Sequence, residues 1–138
     1  MSTPSQIVNT MMAKDYFSQW LGIEVLEIKE GACKLQMIVR DDMLNGFGIA
    51  HGGITYSIAD SALAFASNSH GQKSVSVETS ISHTISLKSG DVMIAEAIEE
   101  HCSNKIGIYS VKISRVSDAA VVALFKGTVY RTPKVWEV

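Results

Sequence analysis

Cysteine is scarce in this 138-residue chain, which contains only Cys33 and Cys102. The two are far apart in sequence, and neither belongs to a C-x-x-C pair or to another recognisable metal-ligand spacing. This pattern favours buried thiols of a reducing compartment over a disulfide framework. From spacing alone, no metal ion is expected.

Long apolar runs and blocks of like charge are also missing. No stretch approaches the roughly 20 apolar residues that a membrane span needs, and no signal-peptide pattern opens the chain. Lys+Arg number 12 and Asp+Glu 14, giving a net charge of −2 without a basic block. Nucleotide-type G-x-x-x-x-G-K and G-x-G-x-x-G loops are absent from the sequence. We therefore expect a cytoplasmic protein that binds neither nucleic acid nor membrane.

Hydrophobic residues make up 46% of the chain, which is enough for a globular core. A length of 138 residues fits one domain, so we expect residues 1–138 to form a single unit.

Hydrophobic periodicity predicts an α+β fold. It predicts a helix over residues 6–19 with Ser5 as its N-cap, a β-hairpin over 23–39, and a long helix over 52–68. Four further strands are predicted at 73–82, 92–101, 106–116 and 120–131. The last of these is apolar on both faces and should lie inside the sheet. A small sheet around one helix leaves open edges, which predicts pairing between subunits.

The chain is organised around residues 45–68, where a glycine-rich loop leads into the long helix at His51-Gly52-Gly53. The first turn of a helix has unpaired N–H groups and a partial positive charge. A glycine there leaves an N–H open to a ligand oxygen. The alternative is that Gly52 and Gly53 only permit a tight turn from loop into helix.

Asp60 is a lone carboxylate in the middle of this helix, among small and apolar residues. Burying a charge is costly unless the charge is paired or used in chemistry. Asp60 is therefore a candidate catalytic group. The alternative is an aspartate on an exposed helix edge, hydrogen-bonded to Ser57 or Ser61.

Helix geometry separates the two candidate groups. With a rise of about 1.5 Å per residue, the backbones of Gly52 and Asp60 lie roughly 12 Å apart along the axis. An oxyanion donor and a base or nucleophile must both lie near one carbonyl group. One straight helix cannot supply both, but two antiparallel copies can. If both residues are catalytic, the protein is a two-fold dimer with two shared sites.

The run Asn45-Gly46-x4-His51-Gly52-Gly53-x6-Asp60, followed by strands, resembles the hotdog-fold acyl-CoA thioesterases of the phenylacetic-acid-degradation type. The resemblance extends over roughly residues 20–132 and includes Ala66-x-Asn68, residues 74–77 and residues 123–127. It implies a hotdog fold, in which a sheet wraps round a long central helix, with residues 1–19 as an N-terminal extension and helix.

The resemblance also implies catalytic roles. The Gly52 N–H would donate to the thioester carbonyl oxygen, and Asp60 of the partner subunit would act as general base for water or as nucleophile. Asn45 would orient the water or the carboxylate, although an asparagine in a loop is also typical of a turn.

Other residues near the motif are expected to contact substrate or to support the loop. His51 would pack the loop or polarise the substrate, Gly53 would leave room for it, and Ser76 corresponds to a strand residue near the site in some relatives. A solvent-facing serine is the alternative for Ser76. The remaining histidines, His70, His83 and His101, are expected to be structural or solvated.

The implied activity is hydrolysis of an acyl-CoA thioester to acid and CoA, without metal or cofactor. The implied acyl group is aromatic, such as phenylacetyl or hydroxyphenylacetyl, or of medium chain length. The implied assembly is a homodimer or a tetramer made of two dimers. Two alternatives stay open: a non-catalytic acyl-CoA-binding or regulatory module, and a hydratase or dehydratase.

Overall fold

The computed structural model describes residues 2–138. Three α-helices precede or interrupt the strands: α1 (Pro4–Lys14), α2 (Tyr16–Leu21) and α3 (Gly52–Asn68). A short 3-10 helix spans Asp41–Met43. The strands are β1 (Glu24–Lys29), β2 (Ala32–Ile38), β3 (Gln72–His83), β4 (Val92–Cys102), β5 (Ile106–Arg115) and β6 (Val121–Val135). Of the helices within residues 2–138, none is long and apolar enough to cross a membrane.

All six strands form one antiparallel sheet in the order β1-β2-β4-β5-β6-β3. The predicted α+β class is confirmed, and β6 lies inside the sheet as its apolar sequence indicated. β6 continues to Val135, four residues past its predicted end, because Gln72 at the start of β3 pairs with Val135.

The long helix α3 packs across the sheet and contacts all six strands. Small side chains along its buried face, Ala59, Ala62 and Ala66, allow this close packing. The approach is tightest at Gly127 on β6, where a Cβ atom would lie 2.5 Å from Leu63 Cδ2. A side chain at Gly127 would therefore push α3 away from the sheet.

The N-terminal segment forms two helices, so the predicted single helix over residues 6–19 is wrong. Asp15 breaks it with φ −89° and ψ 78°, and its carboxylate accepts the Ser18 N–H at 3.0 Å to cap α2. Ser5 does not cap α1. Thr3 does, since its hydroxyl accepts the Gln6 N–H at 3.2 Å while the Gln6 side chain accepts the Thr3 N–H at 2.9 Å.

The edge strand β3 exposes apolar side chains. Val75 is 57% exposed and Val77 61% exposed, whereas Ser74 is buried. An exposed apolar edge strand offers unpaired backbone groups together with apolar surface. This edge is therefore suited to pairing with a second chain.

Candidate active site

The start of α3 leaves one backbone donor open. The His51 imidazole Nδ1 accepts the Gly53 N–H at 2.9 Å, which caps the helix. The Gly53 N–H is thus occupied, while the Gly52 N–H has no acceptor within residues 2–138. The partial positive charge of the helix end is directed at whatever oxygen approaches Gly52. Gly53 therefore cannot offer its N–H to a ligand, but its lack of a side chain leaves space for one.

Gly52 borders a cavity of about 240 Å³, which is lined by Asn45, Ile49, Ala50, Gly52, Thr55 and His83–Leu87. His83 lies directly beside the open donor, since a Cβ on Gly52 would be 3.3 Å from His83 Nε2. The other ring nitrogen of His83 shares a hydrogen bond of 3.1 Å with the Thr55 hydroxyl. Neither His83 nor Thr55 was predicted as a site residue, because no local spacing links the end of β3 to the start of α3.

Asn45 holds the loop that precedes α3. Its side-chain Oδ1 accepts the Phe47 N–H at 2.9 Å and the Ile49 N–H at 3.4 Å. Its oxygen is therefore used by the turn, as an asparagine in a loop often is. Because Asn45 also lines the Gly52 cavity, its amide nitrogen is the atom that remains for a ligand.

Asp60 lies half-buried on α3, away from the cavity at Gly52. Neither nearby serine pairs with it: the Ser57 hydroxyl donates to the Gly53 carbonyl at 2.6 Å, and the Ser61 hydroxyl pairs with Ser18 at 2.8 Å. Burial raises the pKa of the Asp60 carboxyl, and the negative charge of Asp15 raises it further. Asp60 is thus a partly desolvated carboxylate with no hydrogen-bond partner in the described chain, a state typical of reactive groups.

Asp15→Asn should lower the pKa of Asp60, because it removes the second cause of the upward shift. Asparagine caps helices as well as aspartate does, so α2 should persist. Side-chain carboxyl NMR across a pH titration measures the effect. Asp118→Asn, on the turn before β6, is the control and should leave the pKa of Asp60 unchanged. An unchanged Asp60 titration in Asp15→Asn would contradict the assigned cause.

Ser76 is exposed on β3 and does not line the Gly52 cavity. α3 is hydrogen-bonded to β3 at two places, between Tyr56 and Thr79 and between Asn68 and Ser74. Ser76 lies between these places and is level with the middle of α3. The structure therefore brings Gly52 and Asn45 to one cavity, and Asp60 and Ser76 of the same subunit lie outside it.

A second groove of about 360 Å³ borders the other side of the helix start, with His51, Gly53, Ile54 and Ser57 among its lining residues. Two aromatic residues of α2 form its outer wall: Phe17 is 56% exposed and Trp20 47% exposed, and their rings stack at 6.0 Å. The Arg40 guanidinium lies 4.9 Å from the Trp20 ring centroid. Phe17 would continue the apolar face of the helix predicted over residues 6–19, but the helix break at Asp15 leaves it exposed.

Comparison with known proteins gives a consistent result. The family model described as the thioesterase superfamily matches residues 47–122. The Escherichia coli acyl-coenzyme A thioesterase PaaI is 33% identical over 126 residues, which are 91% of this chain and 89% of that protein. A protein of Archaeoglobus fulgidus is 37% identical over 126 residues, which are 91% of this chain and 81% of that protein.

Solved structures of similar proteins have the same fold as this chain. The structure of the E. coli PaaI protein from the phenylacetic acid degradation operon matches with a TM-score of 0.93 at 32% identity, covering 96% of this chain and 95% of that one. The TT0310 protein of Thermus thermophilus matches with a TM-score of 0.82 at 37% identity, covering 86% of this chain and 99% of that one.

Proposed function

This chain belongs to the thioesterase superfamily, has its hotdog fold and is a thioester hydrolase, and we propose that it hydrolyses acyl-CoA to the free acid and CoA. The observation that supports this most is the half-buried, unpaired Asp60 carboxylate on the helix whose first turn offers the open Gly52 N–H. A non-catalytic acyl-CoA-binding module has no need for such a carboxylate, because holding it partly desolvated costs stability.

In the proposed mechanism the thioester carbonyl oxygen binds at the Gly52 N–H in the cavity of one subunit. Asp60 of the partner subunit then takes a proton from a water molecule that attacks the carbonyl carbon, or its carboxylate attacks that carbon directly. The negative charge that develops on the oxygen is stabilised by the Gly52 N–H and the positive end of α3. The C–S bond breaks and CoA leaves as a thiolate. In the general-base route the thiolate takes the proton that Asp60 accepted from water. In the direct route water hydrolyses the acyl–Asp60 anhydride, which releases the acid, frees the Asp60 carboxylate and supplies the proton for the thiolate. Asn45 contributes its amide nitrogen as a donor in the same cavity.

The shared site requires a dimer. Gly52 and Asp60 are eight residues apart on one uninterrupted helix, or about 12 Å along its axis. The exposed β3 edge with Val75 and Val77 supports pairing of two chains there, which would place two α3 helices antiparallel across the interface. We propose a homodimer, alone or as half of a tetramer.

Mixing two inactive variants should restore activity. In a hybrid of an Asp60→Asn chain with a Gly52→Pro chain, one of the two shared sites retains both groups. A 1:1 mixture after full subunit exchange should therefore recover about one quarter of wild-type activity. Thiol release measures the recovery, and native mass spectrometry confirms the exchange.

A matched control for the mixing experiment is a chain that carries both substitutions. Hybrids of this chain with Asp60→Asn contain no intact site and should stay inactive. If the two single variants exchange subunits fully without recovery of activity, the site is not shared between subunits.

We further propose that the acyl group is aromatic or of medium chain length, as in phenylacetyl-CoA or hydroxyphenylacetyl-CoA. The groove beside His51 and Gly53 supports this proposal, because Phe17 and Trp20 offer exposed aromatic faces. An aromatic ring stacked on them would gain apolar contact and favourable ring geometry. The name of the E. coli relative and of its operon points to the same substrate class.

Thiol release across acetyl-, octanoyl-, phenylacetyl- and hydroxyphenylacetyl-CoA tests the substrate class. An apolar pocket discriminates by about tenfold or more between substrates that differ in apolar groups. We therefore expect kcat/KM for the aromatic substrates to exceed that for acetyl-CoA by at least about tenfold. Trp20→Ala should reduce that ratio, while Tyr16→Ala, an exposed aromatic outside the groove, should not. A preference for acetyl-CoA would contradict the acyl assignment. An altered acyl chain on intact CoA would indicate hydration instead of hydrolysis.

A further inference from the structure

Three side chains with metal-ligand atoms meet at the end of α3 opposite to Gly52. His70 lies in the turn after the helix, and Glu99 and Cys102 lie near the end of β4. One ligand atom from each lies within 4.8 Å of the other two. None of the three takes part in the proposed hydrolysis, and their separation in sequence hid the cluster from spacing analysis.

His70 is held in a fixed orientation by carboxylates on both sides. Its Nδ1–H donates to Glu30 Oε1 at 3.0 Å, and its Nε2 makes a hydrogen bond of 2.6 Å to Glu99 Oε2. A carboxylate on the far nitrogen of a histidine is the usual partner of a metal-binding imidazole, because it sets the tautomer and the ring direction. Nε2 is therefore the atom aimed at Glu99 and Cys102.

The turn between β1 and β2 is shaped to admit these groups. Gly31 has φ +78°, and a Cβ there would lie 2.2 Å from Glu99 Oε2 and 3.3 Å from His70 Nε2. Any side chain at Gly31 would collide with the carboxylate. The turn is itself tied to the end of α3, since the Gly31 N–H donates to the Ser69 hydroxyl at 2.8 Å.

A buried hydroxyl without a partner lies beside the cluster. Tyr109 is fully buried, and its hydroxyl has no hydrogen-bond partner within residues 2–138. Tyr109 on β5 is the strand partner of Glu99 on β4. Burial raises the pKa of Tyr109, and the charges of Glu99 and Cys102 raise it further. A Cβ atom added to Gly107 would lie 3.7 Å from the Tyr109 hydroxyl. Gly107 is the strand partner of Cys102. An unused buried donor here is costly unless a further ligand accepts from it.

We propose that His70 Nε2, the Glu99 carboxylate and Cys102 Sγ bind one divalent transition-metal ion of the Zn²⁺ type. Mixed imidazole, carboxylate and thiolate ligation suits Zn²⁺ and Co²⁺, with a water in the fourth position to which Tyr109 can donate. Tetrahedral bonds of about 2.0–2.3 Å place ligand atoms roughly 3.3–3.8 Å apart, so small side-chain rotations suffice.

The charge of the bound ion is balanced by its ligands and by the release of protons. The ion replaces the proton between His70 and Glu99 and the proton of the Cys102 thiol, so two protons are released to solvent. The glutamate and the thiolate then neutralise the two positive charges. Burial raises the pKa of the Cys102 thiol, and Arg131 lowers it in part; a bound ion deprotonates the thiol outright. A groove of about 660 Å³ borders the cluster at His70.

The test is titration of the untagged 138-residue chain with Co²⁺ alone, followed by Zn²⁺ in competition with a chromophoric chelator. We expect one ion per chain, a sulfur-to-cobalt charge-transfer band and a rise in the melting temperature on binding. Cys102→Ser should abolish the band. His70→Gln should weaken binding at least about 100-fold, and Glu30→Gln, which acts through His70, about 10- to 100-fold.

Two variants are matched controls. His101→Gln changes an exposed histidine next to Cys102, and Cys33→Ala removes the other thiol, which is buried and donates to the Ala62 carbonyl. Both should bind Co²⁺ like wild type, and thiol release by all variants should match wild type, which shows that they fold. Absence of the charge-transfer band in the wild-type protein, or its persistence in Cys102→Ser, would overturn the proposal.

Discussion

Asp60→Asn should lower kcat for acyl-CoA hydrolysis by about 10²- to 10⁴-fold, the usual contribution of a positioned proton acceptor. Asparagine keeps the shape of the side chain, but it can neither accept a proton from water nor attack the thioester carbon. The measurement is thiol release at saturating substrate. KM should change little, because the carboxylate acts on the reacting atoms and not on the rest of the acyl-CoA.

The same substitution should raise the free energy of unfolding at neutral pH. The Asp60 pKa is higher in the folded chain than its ordinary value, first through burial and then through Asp15. Between these two pKa values the folded state binds more protons than the unfolded state, so stability falls as the pH rises through that window. Asparagine removes this cost, and urea unfolding measures the gain. At a pH below about 3.9, where the unfolded carboxyl is protonated as well, the gain should disappear.

The pairing of lost activity with retained or increased stability separates catalysis from folding. Asp15→Asn is the matched control, since it removes the neighbouring carboxylate while Asp60 stays in place. It should retain turnover and shift the acidic limb of the pH–rate profile to lower pH. Undiminished turnover by Asp60→Asn would remove Asp60 from the mechanism.

Gly52→Pro should lower kcat by about 10²- to 10³-fold, the usual effect of deleting one oxyanion donor. Proline has no N–H, and it is tolerated at the first position of a helix, which Gly52 occupies. The residue before it is also suited to proline, because His51 has φ −59° and ψ 138°. The substitution therefore removes the open donor with little change to α3, and circular dichroism verifies that the helix content is retained.

Gly52→Ala is the control for crowding. It keeps the N–H and adds a Cβ 3.3 Å from His83 Nε2, which a small movement of the exposed imidazole can relieve. We expect its kcat to stay within about tenfold of wild type, far above that of the proline variant. An equal loss in both variants would assign the effect to steric crowding, and Gly52 would no longer be the oxyanion donor.

The long helix and the strands were readable from local pattern. Residues 52–68 were predicted as helix, and α3 has those bounds. Alternation located all six strands, because a strand with one buried face repeats every two residues. The N-terminal helix was misjudged, since its apolar spacing continues through the break at which the Asp15 carboxylate caps a new helix. Side-chain capping at one residue overrides a periodic signal that extends over several turns.

The candidate site divides in the same way. Gly52 and Asp60 could be singled out from the chain alone, because the start of a helix and a charge inside an apolar segment are local features. The neighbours that give them their properties come from distant segments: His83, at the end of β3, lies beside Gly52, and the charge of Asp15, at the cap of α2, raises the pKa of Asp60. Helix and strand periods describe a few consecutive residues, whereas such contacts depend on strand register and on how α3 lies across the sheet. The meeting of His70, Glu99 and Cys102 is likewise a consequence of packing, which no spacing along the chain encodes.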